Sequence, residues 1–433
     1  MIDAVLRAFR LPDVRRKILF TFGLLAVYRL TAHVPVPGVN VEELRRQFSN
    51  NQLLGLLDLF SGGSLTTFSV AALGVYPYIT ATIVMQIMAP LIPQLSEMQK
   101  EGETGRTKIG QWSRILTVPL AMLQAYAQAT ILARAGIIDA GHFNLFDRAA
   151  FLPTVSLVMT LTAGTMFLVW LGELITEKGI GNGISMIIFA GIVARLPAII
   201  VQQFASGINW LVIGVTAVVG VFMVVAIVLV NEGQRRIQVQ YARRVRGNRV
   251  YGGGSTYIPL KVNSAGMIPL IFAMSIMLIP GTVASYFQIS DVGWVRNTAN
   301  AVVNFFGAQS PLYWLFYFML VVGFTYFYTA VVFQQQNLPE TLQKQGGLIP
   351  GRRAGRETAS YLNRILNRIT LLGALFLGFV AIAPFLLGLA TGSQQVSTTL
   401  STTGILIVVG VVLDTMKQLE SQLMMRNYEG FIR

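Results

Sequence analysis

One stretch of this chain, residues 60–94, is apolar enough to enter a bilayer but poorly suited to form a single straight helix. It reads FSGGSLTTFSVAALGVYPYITATIVMQIMAPLIPQ, with glycines and serines at its start and GVYP at 74–77 in its middle. A proline inside a helix removes a backbone hydrogen bond and clashes with the preceding turn. The pattern therefore predicts a half-helix near 65–73, a kink, and a full helix near 75–89. An ordinary span with a proline kink is the alternative.

Broken helices are tolerated at membrane depth where their backbone lines protein or a water-filled cavity. We therefore interpret the rest of the chain as the wall of a pore around the stretch 60–94. The rest of the chain fits a membrane setting, because 54% of the 433 residues are hydrophobic and only 12% are charged. Soluble domains usually carry about 25% charged residues. The chain has no cysteine, which excludes a disulfide framework and thiolate chemistry.

Apolar runs of about 20 residues recur along the chain, and each is long enough to cross a bilayer. They predict an all-α polytopic membrane protein with ten transmembrane helices. The predicted spans are 18–34, 66–93, 112–133, 153–175, 184–204, 210–231, 266–288, 310–333, 369–390 and 395–416.

Basic residues alternate strongly between the two sides that these spans define. Of the 33 lysines and arginines, 26 fall in the termini and in every second connection. Because positive charge is retained in the cytoplasm, both termini are expected there, in a multi-pass protein of the cytoplasmic membrane. Most of the basic residues behind the net charge of +14 are therefore expected on the cytoplasmic side.

The short connection 205–209 divides the chain into an N-terminal half, 1–209, and a C-terminal half, 210–433, with five predicted spans each. An odd number of spans places the halves in opposite orientations, which is the setting of an inverted repeat around a site near mid-membrane. This arrangement would also suit a secondary transporter, which stays the alternative function.

Two cytoplasmic connections are long, 232–262 and 334–368, and carry seven and six basic residues. In the first, apolar residues alternate before and after a turn, which predicts a β-hairpin; they are Ile237, Val239, Tyr241, Val250 and Tyr251. Topology alone would explain some of this charge. The excess favours acidic or phosphate-rich partners such as RNA.

Charges that could serve proton relays are absent from the middle of the predicted spans. Four charged residues fall toward span ends: Arg29, Glu173, Arg195 and Asp414. There is no H-E-x-x-H motif and no paired carboxylate, so no catalytic residue, metal or cofactor is expected.

Branched apolar residues stand beside the predicted kinks in pairs four residues apart. Val75 with Ile79, and Ile184 with Ile188, each share one helical face. Lipid contact or ordinary packing would explain either pair taken alone.

Several motifs, in order along nearly the whole chain, resemble the SecY family of channel-forming subunits of the bacterial Sec (SecYEG) protein translocase. The matching stretches are FSGGSLTTFSVAALGVYPYITATIVMQ, EGETGRTKIGQWSR, GTMFLVWLGELITEKGIGNGISMIIFAGIV, EGQRRIQVQYARR, PLKVNSAGMIPLIFA and the tail ending in MMRNYEGFIR.

The resemblance implies two clamshell halves around a central hourglass pore, with a plug, a ring and a lateral gate. The plug positions would be Gly62, Gly63, Ser64, Leu65, Thr66, Thr67, Phe68, Ser69 and Val70. The pore-ring positions would be Val75, Ile79, Ile184, Ile188, Ile271 and Ile407, with valine at the first position where isoleucine is common. The gate positions would be Thr80, Ile83 and Gln86 on span two and Ser275 and Ile279 on span seven.

The resemblance also implies a passive pore, powered by partners, which exports unfolded proteins and releases membrane proteins laterally. The two basic loops would dock the ribosome and the SecA ATPase through Arg235, Arg236, Arg243, Arg244, Arg246, Arg249, Arg352, Arg353 and Arg356. Ala354 replaces the proline usual after Arg353. Further expected partners are SecE and SecG, signal peptides and nascent chains, SecDF, YidC and membrane lipid.

Overall fold

The structure is a computed structural model, and it describes residues 11–37, 39, 44, 61–89, 91–134, 137–138, 148–205, 210–241, 244–246, 249–251, 254–287, 292–307, 310–336, 338–353, 355–391 and 402–431. The helices, numbered in chain order, are α1 (Pro12–Thr31), α2 (Tyr76–Met88), α3 (Pro93–Lys100), α4 (Glu103–Arg134), α5 (Arg148–Lys178), α6 (Gly183–Ala205), α7 (Trp210–Glu232), α8 (Ile268–Phe287), α9 (Gly293–Phe305), α10 (Pro311–Gln336), α11 (Leu338–Lys344), α12 (Arg356–Thr391) and α13 (Thr402–Phe431). The strands are β1 (Gln234–Tyr241), β2 (Arg244–Arg246), β3 (Arg249–Tyr251), β4 (Ser255–Lys261) and β5 (Gly347–Leu348).

Within these ranges, three helical stretches are long and apolar enough to cross a membrane: Ala150–Lys178, Pro311–Lys344 and Arg356–Leu389. The pair α2 and α3 meets the same test as a broken span, with a bend of 101° between its parts. Shorter apolar helices lie within α6, α7 and α8. These findings are consistent with the ten predicted spans, whose exact count stays a prediction.

The chain forms two compact units. Unit 1 contains Met1–Asn209, Leu278–Ser310 and Ile407–Arg433, and unit 2 contains Trp210–Met277 and Pro311–Leu406. One boundary thus falls at the connection where the sequence suggested a division, but two later segments return to unit 1. The predicted division into halves 1–209 and 210–433 is not tested by this grouping.

The core of unit 1 is built from α4, α5 and the segment that precedes α2. Small residues on α4, Ala125 and Ala129, lie in one buried cluster with Leu157 and Leu161 of α5. Small side chains on a membrane helix let the neighbouring backbone approach closely. The close packing of α4 and α5 leaves a fixed surface for residues 61–75, described below.

Unit 2 is built around α10 and α12, joined by aromatic pairs. The rings of Trp314 and Phe385 stack with their centroids 5.6 Å apart, and Phe318 meets Phe379 edge-on at 5.6 Å. Phe272 of α8 packs edge-on against Phe324 of α10. Offset and edge-on arrangements are the favoured geometries for such pairs.

A three-stranded antiparallel sheet in the order β4-β1-β5 covers the ends of the unit 2 helices. Ile237 and Val239 of β1 are buried in one cluster with Leu362 and Leu366 of α12, while Gln238 between them is exposed. This alternation confirms the predicted β structure in 232–262. The predicted pairing was wrong, because Val250 and Tyr251 lie in a separate β2–β3 hairpin and β1 pairs with β4.

Some sequence-based predictions fall wholly or partly outside the described residues. The sequence also predicts a short amphipathic segment on the membrane surface over residues 1–17; residues 1–10 are not described, and Pro12 already begins α1. The stretch VEELRRQF at 41–48 predicts a short polar helix, and of its residues only Leu44, which is buried, is described.

Candidate functional site

The segment 61–75, which precedes α2, contains the predicted plug positions 62–70 and is termed the plug segment. It forms a series of turns rather than the predicted half-helix near 65–73, which is therefore wrong. Backbone N–H groups of Phe68, Ala72 and Gly74 donate to carbonyls three residues earlier, at 3.1, 2.8 and 2.8 Å. Glycines at 62 and 63 adopt positive φ angles of 66° and 89°, which interrupt a right-handed helix. The predicted full helix does follow, as α2.

Hydrogen bonds tie the plug segment to the end of α1 and the residues after it. Ser69 forms an isolated antiparallel bridge with Pro35. In that bridge the Val70 N–H donates to the Val34 carbonyl at 3.0 Å, and the Val36 N–H donates to the Phe68 carbonyl at 3.0 Å. These bonds satisfy backbone groups that a helix would have satisfied internally, as a buried segment requires.

Two side chains of α1 hold the beginning of the plug segment. The Arg29 guanidinium donates to the Gly62 carbonyl at 3.1 Å, and the Tyr28 hydroxyl donates to the Ser61 carbonyl at 3.4 Å. A charged donor makes the stronger kind of hydrogen bond. Arg29, noted in the sequence only as a charge near a span end, is thus a residue that positions the segment.

The apolar side chains of the plug segment are buried in the α4–α5 core. Leu65, Phe68, Ala72 and Leu73 belong to the same cluster as Ala125 of α4. Phe68 is 0% exposed and has a φ of +41°. The segment is therefore packed like a domain interior rather than left as a surface loop.

Glycines on two helices make room for the plug segment. A Cβ at Gly62 would lie 2.6 Å from the Cα of Gly191 on α6, so these two backbones touch. A Cβ at Gly164 of α5 would overlap the Val70 carbonyl. Distances below about 3 Å to backbone atoms leave no space for a side chain. The sequence did not indicate a role for Gly164 or Gly191, because a single glycine in an apolar helix does not show which segment packs against it.

Five of the six predicted ring residues lie in unit 1, on α2, α6 and α13 or just before α2. Val75, Ile79, Ile188 and Ile407 are buried. Ile184 is half-buried, and its Cδ1 lies over Gly172 of α5, where an added Cβ would be 2.6 Å away. Ile271, also buried, is in α8 within unit 2. Convergence of all six into one ring stays a prediction.

The predicted gate residues lie on α2 and α8. Thr80 donates to the Tyr76 carbonyl at 3.0 Å, and Ser275 donates to the Ile271 carbonyl at 2.8 Å, so both hydroxyls bond within their own helices. Ile83 is buried, and the buried Oε1 of Gln86 has no hydrogen-bond partner among the described residues. The side chain of Ile279 is outside the described residues.

The predicted docking arginines fall on β1 and the β1–β4 connection, and on the segment before α12 and the first residue of α12, all in unit 2. Five of their side chains are exposed: Arg235, Arg236, Arg352, Arg353 and Arg356. The guanidinium carbon of Arg352 lies 5.1 Å from the Tyr361 ring centroid. The backbones of Arg244, Arg246 and Arg249 lie in β2 and β3, and Arg243 is outside the described residues.

One sheet joins the two basic loops, because β5 of the second loop pairs with β1 of the first. Tyr241 lies opposite Gly347 and Gln240 lies opposite Leu348. A two-residue strand among glycines gives no periodic pattern, so the sequence could not predict this pairing. The pairing brings exposed arginines from both loops onto one structure within unit 2.

An ion pair between α4 and α5 was also missed. The Nε of Arg114 lies 2.9 Å from Oε1 of Glu173, and its NH1 donates to Oε2 at 3.2 Å. This is the bidentate geometry that guanidinium and carboxylate groups favour. In the sequence only Glu173 was noted, as a charge near a span end, and only the fold shows that it meets Arg114.

The sequence model of the family described as SecY matches residues 69–416. A curated relative, "Protein translocase subunit SecY" of Streptomyces coelicolor, is 46% identical over 447 residues, which covers 100% of both chains. Two solved structures are similar in fold, and each covers 94% of this chain and 91% of its own. One, on how "the plug domain of the SecY protein" maintains a membrane seal, has a TM-score of 0.62 at 17% identity. The other, "Sec61 in the Canine ribosome-channel complex from the endoplasmic reticulum", has a TM-score of 0.60 at 16% identity.

Proposed function

The chain belongs to the SecY family, and we propose on this basis that it forms the protein-conducting channel of a translocase. The match over full length to translocase subunits carries this conclusion. The likeness to solved channels supports the predicted all-α channel fold. Both findings favour a channel subunit over an enzyme, and neither supports the secondary transporter considered as an alternative.

We propose that residues 62–70, within the plug segment, close the resting channel as its plug. The burial of the segment against α4 and α5, its hydrogen bonds to Arg29 and Tyr28, and its contact with Gly191 all support this role. A segment of turns has no ladder of i→i+4 bonds to break, so it can leave its site by losing tertiary contacts alone. If the segment left its site, Phe68 and its apolar neighbours would be exposed to water. The free-energy cost of that exposure favours the closed resting state.

We propose further that the six ring residues form the constriction, with Ile271 supplied by α8. Branched apolar side chains form no hydrogen bonds with water, so an ion must lose its hydration shell to pass between them. They also adapt to any side chain of a passing polypeptide, because dispersion contacts need no specific partner. α2 and α8 would form the lateral gate through which an apolar signal segment reaches lipid.

The basic structure of unit 2 supports docking of cytoplasmic partners. Exposed arginines on β1 and before α12 suit the phosphates of ribosomal RNA and the acidic surface of a motor ATPase. We propose the ribosome and SecA as these partners, SecE and SecG as small membrane subunits, and signal peptides and nascent chains as clients. SecDF and YidC are proposed as accessory partners. The location would be the cytoplasmic membrane, with both termini in the cytoplasm.

A site-specific crosslink tests the proposed pathway. A photoreactive residue replaces Ile79 or Ile271 in the assembled complex, and a secretory chain is stalled during transport. Both positions should crosslink to the chain, whereas Val218, which is 70% exposed on α7, should not. Equal labelling at Val218, or none at the two isoleucines, would contradict the pathway.

A further inference from the structure

The α5–α6 turn, residues 179–182, is held from two sides by distant parts of unit 1. The N–H of Ile180 donates to Oγ1 of Thr21 on α1 at 3.2 Å. The next N–H, of Gly181, donates to Oε1 of Gln418 on α13 at 2.8 Å. Two successive backbone donors of one short turn are therefore satisfied by side chains 159 and 237 residues away in sequence.

An apolar cluster lies beside these hydrogen bonds and contains Ile180. Ile180 is buried together with Val14 of α1 and Leu419 of α13, and Ile18 and Met416 pack against them. Thr21 is itself buried and donates its hydroxyl proton to the Lys17 carbonyl at 2.9 Å, which orients the oxygen that accepts from Ile180. A buried N–H that lost its acceptor would carry an uncompensated desolvation cost.

The turn has little freedom to move within this setting. A Cβ at Gly179 would lie 2.7 Å from the Ile175 carbonyl oxygen, and Gly181 has a φ of +85°. The turn leads directly into α6, where Asn182 Oδ1 accepts the Ser185 N–H at 3.2 Å as an N-cap. The Gly183 N–H donates to Oγ1 of Thr176 at 2.9 Å, which fixes α6 to α5. The position of the turn therefore sets where the first residues of α6 lie.

Those first residues include two of the proposed ring side chains, Ile184 and Ile188. Gln418 lies on the same helix as a third, Ile407, about 16 Å away along the axis at 1.5 Å per residue. A single helix thus carries one ring residue and holds the turn that places two others. Contacts on one end of α13 are transmitted to the other because a helix is stiff along its axis.

We infer that Gln418 and Thr21 are positioning residues of the channel, which hold the α5–α6 turn so that α6 and α13 keep the constriction closed. The inference rests on the proposed function, since it needs the ring to be the seal. It goes further by assigning a role to two residues outside the plug, the ring and the gate. Neither touches the pathway in this account, and both act through the turn.

The test replaces Gln418 by methionine, which keeps the length of the side chain and removes the acceptor. Resting ion conductance of the purified complex in planar bilayers is compared with that of the parent. The bond from Gly181 to Gln418 is partly buried, and loss of one such hydrogen bond shifts a closed-to-open equilibrium about fivefold, which corresponds to about 1 kcal/mol. Conductance of Gln418→Met should rise by about that factor. The variant Gln418→Glu keeps an oxygen that can accept from Gly181 and should stay close to the parent.

The matched control is Gln422→Met, the same change one helical turn further along α13. It should leave conductance unchanged. Thr21→Val removes the other acceptor at nearly constant volume and should raise conductance as Gln418→Met does. It also provides a test if Gln418→Met does not fold. Parent-level conductance in both Gln418→Met and Thr21→Val, or an equal rise in Gln422→Met, would overturn the inference.

The variant Ile188→Asn separates this inference from the function on which it rests. If Ile188→Asn conducts and both positioning variants are closed, the ring is the seal but the turn does not position it. If Ile188→Asn is closed as well, the proposed ring has failed. A fall in thermal midpoint without a rise in conductance would reduce Gln418 to a purely structural contact and also overturn the inference.

Discussion

At the scale of single residues, Phe68 has an unusual conformation. Its φ of +41° is rare for a residue other than glycine, and its side chain is fully buried. Such backbone conformations cost about 1–3 kcal/mol and persist only where the surroundings hold them. Burial among Leu65, Leu161 and Ala125 provides that support here. A segment whose strained conformation depends on its surroundings is suited to leave its site when those contacts are lost.

Replacing Phe68 by alanine should therefore weaken the closed state. Large-to-small changes of this kind in a packed core cost about 3–5 kcal/mol. Both a lower thermal midpoint and a higher resting conductance are expected for the reconstituted complex. Phe316→Ala, at a side chain that is 48% exposed on α10, serves as the control and should change neither. A destabilised Phe68→Ala complex that stayed closed to ions would show that Phe68 packs the core without sealing it.

At the scale of elements, hydropathy predicted helices better than it predicted the broken stretch. The helix after the GVYP break is present as α2, but 65–73 is a set of turns. Ser64 and Thr67 bond to carbonyls within the segment or on residue 32, and Val34 supplies another acceptor. Serine and threonine compete in this way with helical bonding. The sequence shows that they can do so, but the acceptors from the α1 end become available only in the folded chain.

The sheet in unit 2 gives a prediction at the same scale, since it joins both basic loops. Replacing Arg235 and Arg236 on β1 by alanine should weaken ribosome binding and make its salt dependence shallower, because fewer counterions are released. Binding measured across a series of salt concentrations gives both quantities. Arg296→Ala, an exposed arginine on α9 in unit 1, is the control. Unchanged affinity and slope in the β1 variant would leave those arginines as topological anchors only.

At the scale of the whole molecule, the family and the main helices follow from the sequence, and the contacts between distant segments do not. Apolar runs and ordered motifs are local, so they can be read along the chain. The bonds from Gly181 to Gln418 and from Arg114 to Glu173 join residues that share no local pattern. Likewise, Ile184 and Ile188 share a helical face as predicted, but only the fold shows Ile184 against Gly172. Convergence of the ring across two units stays the central claim to be tested.

Single-channel recording of Ile188→Asn in planar bilayers, with the purified complex and no substrate, tests that claim most directly. An asparagine at the constriction would let water enter, lower the dehydration barrier and open a resting ion leak. The membrane potential acts on each charge in the pore with about 2.3 kcal/mol per 100 mV, so even a partial leak is measurable. The parent complex should be closed and Ile188→Asn should conduct. An Ile188→Asn complex as tight as its parent would contradict the account and leave Ile188 as an ordinary packing residue.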